Sequence, residues 1–188
     1  VLFRSDVERL AMVCDMNIGS TGKIKTYAFY PAVFRSKARL TYNQVWSWLD
    51  GGAQPENEVH RELLPQLESL YALFKVLLKA RHKRGAIDFE TIETMMLFND
   101  QGKIENIVPV QRNDAHRLIE ECMLAANVCA SAFLQKHKQA CLYRIHEGPT
   151  PEKLEALRSF LHEFGLGLPG GENPTAKDYG ALLEKIKE

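Results

Sequence analysis

The clearest helical pattern in the chain is NDAHRLIEECMLAANVCASAFLQKHK, residues 113–138. A side-chain oxygen of Asn113 or Asp114 can accept an orphan backbone N–H, which predicts a helix start there, and we expect the helix to run to about Lys138. Apolar side chains recur in steps of three and four, as one buried helix face requires. They are Ala115, Leu118, Ile119, Cys122, Ala126, Cys129 and Phe133. The stretch therefore predicts a core helix around which the other elements pack.

Strand patterns precede this helix. Apolar residues alternate with mostly polar ones from Leu10 to Ile18, a turn follows at 19–22, and a second, antiparallel strand is expected from Ile24 to Phe34. A second hairpin is predicted from strands at Ile87–Phe98 and Lys103–Val108. A short strand is also expected at residues 142–145.

Five further helical segments are predicted around these strands. Thr41 caps a helix to Leu49, and residues 57–64 form a short helix. Pro65 fits the first turn of a separate, longer helix that Gly85 ends. Its apolar face is Leu67, Leu70, Phe74, Leu77 and, continuing the same stripe, Arg81. With helices from Pro151 to Phe164 and from Thr175 to Lys187, the expected fold is α+β, with mixed, largely antiparallel strands packed against several helices.

Composition limits the classes of protein. The 188 residues are 45% apolar and 26% charged with a net charge of zero, which is typical of a globular protein and argues mildly against a self-standing nucleic-acid binder. The longest nearly apolar run, Cys122–Leu134, is short for a membrane span, so no membrane association is expected. Four cysteines without CxxC spacing indicate reduced thiols and a cytoplasmic location.

Candidate functional side chains are few, and each has two interpretations. Asp88 with Glu90, or His116 with Glu120, could hold a metal, although solvated surface pairs are commoner. Glu121 lies at the edge of a buried face, where it forms a boundary salt bridge with Arg117 or serves a functional site.

Two aromatic residues follow basic segments. Tyr42 comes after residues 35–39 and Phe89 after residues 79–84. Aromatic rings beside cations bind single-stranded nucleic acid by stacking, but core aromatics beside a solvated charge run have the same pattern. No self-sufficient catalytic motif accompanies them.

Longer stretches carry a resemblance that spans about Asp6 to the C-terminus. FYPAVFRSKARLTY (29–42), RNDAHRLIEECMLAAN (112–127), LYRIHEGP (142–149) and LPGG (168–171) occur in the order found in ribonuclease R. The chain thus resembles the ribonuclease R / ribonuclease II (RNB) family of exoribonucleases, and residues 6–188 look like an interior part of its catalytic domain.

The resemblance implies a function for the whole enzyme. The family degrades single-stranded RNA processively from the 3′ end to nucleoside 5′-monophosphates, as a monomer, with Mg²⁺ held by four aspartates at the base of a channel. In the family that Asp cluster precedes the first strand found here, and a catalytic arginine follows the last helix. We therefore expect no catalytic residue and no metal ligand in this chain, and no RNA degradation by it alone.

The same resemblance implies three substrate-binding residues. Tyr42 and Glu121 match residues that hold the 3′-terminal nucleotide, and Phe89 matches the aromatic that clamps the end of the base stack. A carboxylate at Glu121 can accept hydrogen bonds from ribose hydroxyls and so help to distinguish RNA from DNA.

Two alternatives stay open at this stage. The chain could be a non-catalytic RNA-binding or adaptor module, or a helical interaction protein without a nucleic-acid role.

Residues 1–5 (VLFRS) match a translated sequencing adapter and are expected to be non-native. If the chain is an interior piece, apolar surface should be exposed on its first strands.

Overall fold

The computed structural model describes residues 6–87 and 93–187. Within them, five helices accompany two antiparallel strand pairs, which confirms the α+β prediction. The elements in chain order are β1 (Glu8–Ile18), β2 (Ile24–Arg35), α1 (Tyr42–Leu49), α2 (Glu58–Arg84), β3 (Thr94–Phe98), β4 (Ile104–Pro109), α3 (Asp114–Lys136), α4 (Pro151–Glu163) and α5 (Ala176–Lys187).

The β1–β2 ribbon is covered on only part of its length. Cys14 lies opposite Phe29, whose ring centroid is 5.3 Å from that of Phe133 on α3. Leu10 and Val33 lie opposite each other further from the turn, and their side chains are 88% and 60% exposed. The sequence predicted one half-buried face, but α3 reaches only the part nearer the turn. The expected exposed apolar surface on the first strands is present.

Helix α2 corrects one prediction, because it is continuous where two helices were expected. Asn57 caps it by accepting the backbone N–H of His60 at 2.9 Å, and Pro65 lies inside it. Pro65 has no N–H for the carbonyl of Arg61, and both residues are exposed, so water can satisfy that carbonyl. Gly85 ends the helix with φ +77°, a conformation that favours glycine.

Helix α3 packs against α1 and α2, and its buried residues are Ala115, Leu118, Glu121, Ala125 and Cys129. The predicted stripe was therefore partly wrong. Ile119 is 38% exposed, and Glu121 is buried at 5% exposure. The buried face is rotated toward Glu121 because α2 packs on that side of α3.

The apolar character of α3 also bears on the expectation of no membrane association. With 23 residues and a mean hydropathy of 1.2 in its most apolar window, α3 is long and apolar enough to cross a membrane by length and composition. The core helix of a soluble protein meets the same criterion when it is mostly buried; in α3, 22% of that window is buried, and the helix packs against two neighbouring helices. The absence of membrane association therefore stays a prediction.

The C-terminal part forms its own apolar cluster, in which Leu154 and Leu161 of α4 pack with Leu168 and Leu182. Pro151 occupies the first turn of α4, as predicted. Thr150 caps this helix by accepting the N–H of Lys153. The strand expected at 142–145 is wrong. Those residues have no regular structure, and Leu142 is 100% exposed, so no packing stabilises an extended pairing there.

Candidate functional site

Tyr42 is the first residue of α1 and lies against the start of α3. Thr41 caps α1 by accepting the N–H of Gln44 at 3.3 Å, as the sequence predicted. The Tyr42 ring stacks on the imidazole of His116, with centroids 4.1 Å apart and an interplanar angle of 26°. Tyr42 is still 45% exposed. The Tyr42 ring is therefore held in place by His116 and remains half-exposed to solvent.

The His116 ring is fixed by the cap of its own helix. Its Nδ1 accepts the backbone N–H of Asn113 at 3.3 Å, while the Asn113 side chain accepts the N–H of Ala115 at 3.1 Å. The Asn113 amide also donates to Oδ1 of Asn43 at 3.0 Å and so joins α3 to α1. These hydrogen bonds fix the His116 ring and connect the starts of α1 and α3, which carry the two stacked rings.

His116 and Glu120 do not form the pair considered from sequence. Glu120 makes a bidentate ion pair with Arg112 instead. Among residues 6–87 and 93–187, no three His, Cys, Asp or Glu side chains lie close enough together to hold a metal ion. The described residues therefore do not fit the family's Mg²⁺ site.

Glu121 forms a buried ion pair between α2 and α3. Its Oε1 accepts a hydrogen bond from Arg81 Nη1 at 2.7 Å, and the two side chains are 6% and 17% exposed. Arg117, the partner expected from sequence, lies 3.4 Å from Asp114, and its pairing with Glu121 stays a prediction. The signal for Arg81 was present in the sequence, because a cation that continues an apolar helix stripe requires a buried anionic partner.

A second polar contact joins the same helices about two turns nearer the start of α3. The Tyr71 hydroxyl donates to Asp114 Oδ2 at 3.1 Å. Burial, and then this hydrogen bond to the carboxylate, raise the pKa of Tyr71 above its ordinary value. This contact was missed from sequence, because residues 43 positions apart carry no local signal of contact.

The predicted site residues are only partly brought together. Tyr42 touches α3 at His116, which is five residues before Glu121, or about 7.5 Å along the helix axis. The side chains of His116 and Glu121 point in directions that differ by well over a quarter turn around the helix axis. The Tyr42 ring and the Glu121 side chain therefore lie on different sides of α3. Phe89 falls outside the described residues.

Comparison with known proteins places this arrangement in a family. The RNB domain model matches residues 2–188. Ribonuclease R of Vibrio cholerae is 50% identical over 182 residues, which is 97% of this chain and 22% of that protein. The chain thus spans about a fifth of the length of this relative.

Solved structures agree with the sequence comparison. Apo Mycoplasma genitalium RNase R superposes with a TM-score of 0.87 at 26% identity, over 99% of this chain and 29% of that one. The same enzyme in complex with ribose methylated single-stranded RNA gives 0.86 over 98% of this chain, again covering 29% of the other. The chain belongs to the RNB domain family.

Proposed function

We propose that this chain is the part of a 3′-to-5′ exoribonuclease that holds the end of a single-stranded RNA substrate. The observation that carries the proposal is the Tyr42 ring, half-exposed and braced on His116. Mycoplasma genitalium RNase R, solved with single-stranded RNA bound, has the same fold over this stretch. A braced aromatic ring can stack on a base without first losing side-chain freedom.

Glu121 is the second contact in this proposal. A carboxylate has two oxygens and about four lone-pair positions, so the bond to Arg81 does not exhaust its capacity to accept hydrogen bonds. A ribose hydroxyl that reached Glu121 would find an acceptor held in place by Arg81. The competing role is that of an interhelical ion pair alone, and its 5% exposure supports that role. Phe89 is proposed as the clamp at the end of the base stack.

Hydrolysis is assigned to the parts of the relatives that this chain does not span. We expect Mg²⁺ to be bound there by the family's aspartates, in a monomeric enzyme of the cytoplasm. Purified chain incubated with labelled single-stranded RNA and Mg²⁺ should release no nucleoside 5′-monophosphates. Release of nucleotides that persists through repurification would contradict this assignment.

The stacking role is tested with two tyrosines of similar exposure. Tyr42 is 45% exposed and Tyr30, on the ribbon, is 41% exposed. Tyr42→Ala should weaken binding of a single-stranded RNA by about 1–3 kcal/mol, the value of one base stack, and Tyr30→Ala should not. Fluorescence anisotropy with a labelled oligoribonucleotide measures both. Equal losses for the two variants would contradict a specific role of Tyr42.

A chimera separates the enzyme part from an adaptor. The matched 182 residues of Vibrio cholerae ribonuclease R are replaced by this chain, and RNA degradation is followed. An enzyme part should restore degradation, and Tyr42→Ala in the chimera should impair it. A folded but inactive chimera would favour the non-catalytic adaptor.

A further inference from the structure

Basic residues are segregated in this chain although its net charge is zero. Two stretches, 16–49 and 69–87, contain no Asp or Glu and carry ten of the 24 Lys and Arg residues. The first includes the β1–β2 turn and the second includes the C-terminal half of α2. A globular surface with interspersed charges would not show this segregation, so its position in the fold needs an explanation.

The fold brings the β1–β2 turn against the end of α2. A Cβ added at Gly22 would lie 2.6 Å from the Ala80 Cβ and 3.1 Å from the carbonyl oxygen of Val76. The turn therefore touches α2 only four residues before that helix ends at Arg84. Gly22 also has φ +76°, so glycine is needed there for both conformation and space.

Helix α5 meets the same end of α2 from another direction. A Cβ added at Gly85 would lie 2.5 Å from the Cα of Lys177, near the start of α5. Three elements thus converge there, and each carries exposed cations. We call this surface the basic junction, and its exposed residues are Lys23, Lys25, Lys79, Lys83, Arg84 and Lys177.

Helix dipoles explain only part of the basic junction. Cations in the last turn of α2 complement the dipole of that helix. Lys23 lies in the hairpin turn and Lys25 at the start of β2, where no helix dipole acts. Lys177 is near the N-terminus of α5, where the dipole disfavours a cation. Its acidic neighbour Asp178 accepts the N–H and the hydroxyl of Thr175 and also attracts Lys177 electrostatically.

We propose that the basic junction binds the phosphate backbone of single-stranded RNA, at a site separate from the Tyr42 stack. A flexible polyanion matches cations that arrive from three elements without a common geometry, and such contacts position a strand without reading its sequence. Arg81 is excluded from the junction because it pairs with Glu121. The inference rests on the proposed function, because its ligand is the same RNA.

Matched triple variants test the basic junction in the full chain. The first is Lys23→Gln, Lys25→Gln and Lys83→Gln, and the control is Lys103→Gln, Lys136→Gln and Lys153→Gln. Both sets remove three exposed charges, and each includes a hairpin-turn lysine and a lysine in the last turn of a helix. Circular dichroism melting should be the same for both variants and the parent.

Binding of a labelled oligouridylate is then measured as a function of salt. The junction variant should bind about tenfold more weakly at low salt, and the slope of log K against log salt should fall by about two, at about 0.7 per lost phosphate contact. The control should keep the parental slope. Equal losses in both variants, or a parent chain that binds no RNA at low salt, would overturn the proposal.

Two further measurements distinguish failure of the phosphate proposal from failure of the proposed end-holding role. Tyr42→Ala should weaken binding without changing the salt slope. If Tyr42→Ala has no effect while the junction variant does, the proposed end-holding role fails and the basic junction stands. If the parent binds polyglutamate as tightly as RNA and the junction variant loses both, the surface serves acidic proteins and the phosphate proposal is overturned.

Discussion

Two regions of the chain are built differently. One is the helix junction, where α1, α2 and α3 meet, and the other is the part of the β1–β2 ribbon that lies far from its turn. At the helix junction, charged side chains are buried and paired, as in Glu121 with Arg81 at 2.7 Å. On the ribbon, Leu10 and Met12 are apolar and 88% and 72% exposed. One region has buried polar groups with partners, and the other has apolar groups without cover from the described residues.

This difference shows where stability and function should be separable. The helix junction holds the candidate site and supplies buried contacts of high energy, so substitutions there should affect folding strongly. The exposed ribbon residues gain little from the folded state, since their side chains remain in water. Matched substitutions in the two regions test this difference.

Truncation of core and ribbon side chains should give the largest contrast. Phe74 of α2 is 1% exposed, so Phe74→Ala should lower the free energy of unfolding by about 3–5 kcal/mol. Leu10→Ala should change it by less than about 0.5 kcal/mol, as for exposed sites in general. Urea denaturation measures both, and similar losses would mean that the ribbon is covered in solution.

Removal of one member of the buried ion pair should come next. Glu121→Ala removes the carboxylate that lies 2.7 Å from Arg81, and breaking a buried pair in this way costs about 3 kcal/mol. A double-mutant cycle with Arg81→Ala should show strong coupling. For comparison, Glu120→Ala, which removes a more exposed partner of Arg112, should cost about 1 kcal/mol or less. If Glu121→Ala and Glu120→Ala cost the same, the buried pair is not a feature of the folded chain in solution.

Local rules predicted most of the elements. Asn113 and Thr41 were expected to cap helices and do so, because capping depends on residues within one turn. Strand alternation predicted β1 and β2 for the same reason. Pro65 was misinterpreted, because a proline is tolerated within a helix when the carbonyl it leaves unbonded faces water.

The pattern indicated that Arg81 needs an anionic partner, but it did not identify that partner. Glu121 was identified as a candidate, but its partner is 40 residues away on another helix, and local spacing favoured Arg117. The stack of Tyr42 on His116 joins helices that are far apart in sequence. The family resemblance supplied the candidate residues, and the fold supplied their neighbours.

Loss of the α3 cap should have a smaller effect. Asn113→Ala removes the acceptor for the N–H of Ala115 and should cost about 1 kcal/mol, the usual value of an N-cap. It also removes the bond to Asn43, so Tyr42 should become more mobile. Thr150→Ala is the matched cap on α4 and should cost a similar amount without changing RNA binding. Thermal melting and RNA affinity measured together separate the two effects.

The smallest effect should be a decline in stability at alkaline pH. Burial raises the pKa of the Cys129 thiol above its ordinary value of 9.0, and contact with Cys14 adds to this. The unfolded chain then loses this proton at a lower pH than the folded chain, so stability is complete below pH 9.0 and falls as pH rises toward the folded pKa. Cys129→Ala should flatten this part of the melting profile. An unchanged profile would mean that Cys129 does not titrate differently in the folded state.

The most direct test of the central claim is the ratio of affinities of the chain for single-stranded RNA and DNA of the same sequence, measured at one salt concentration. We expect tighter binding of RNA, and a preference that Glu121→Gln reduces while binding of DNA stays the same. Equal affinity of the parent chain for RNA and DNA would contradict the claim that the Tyr42 and Glu121 region holds a ribonucleotide.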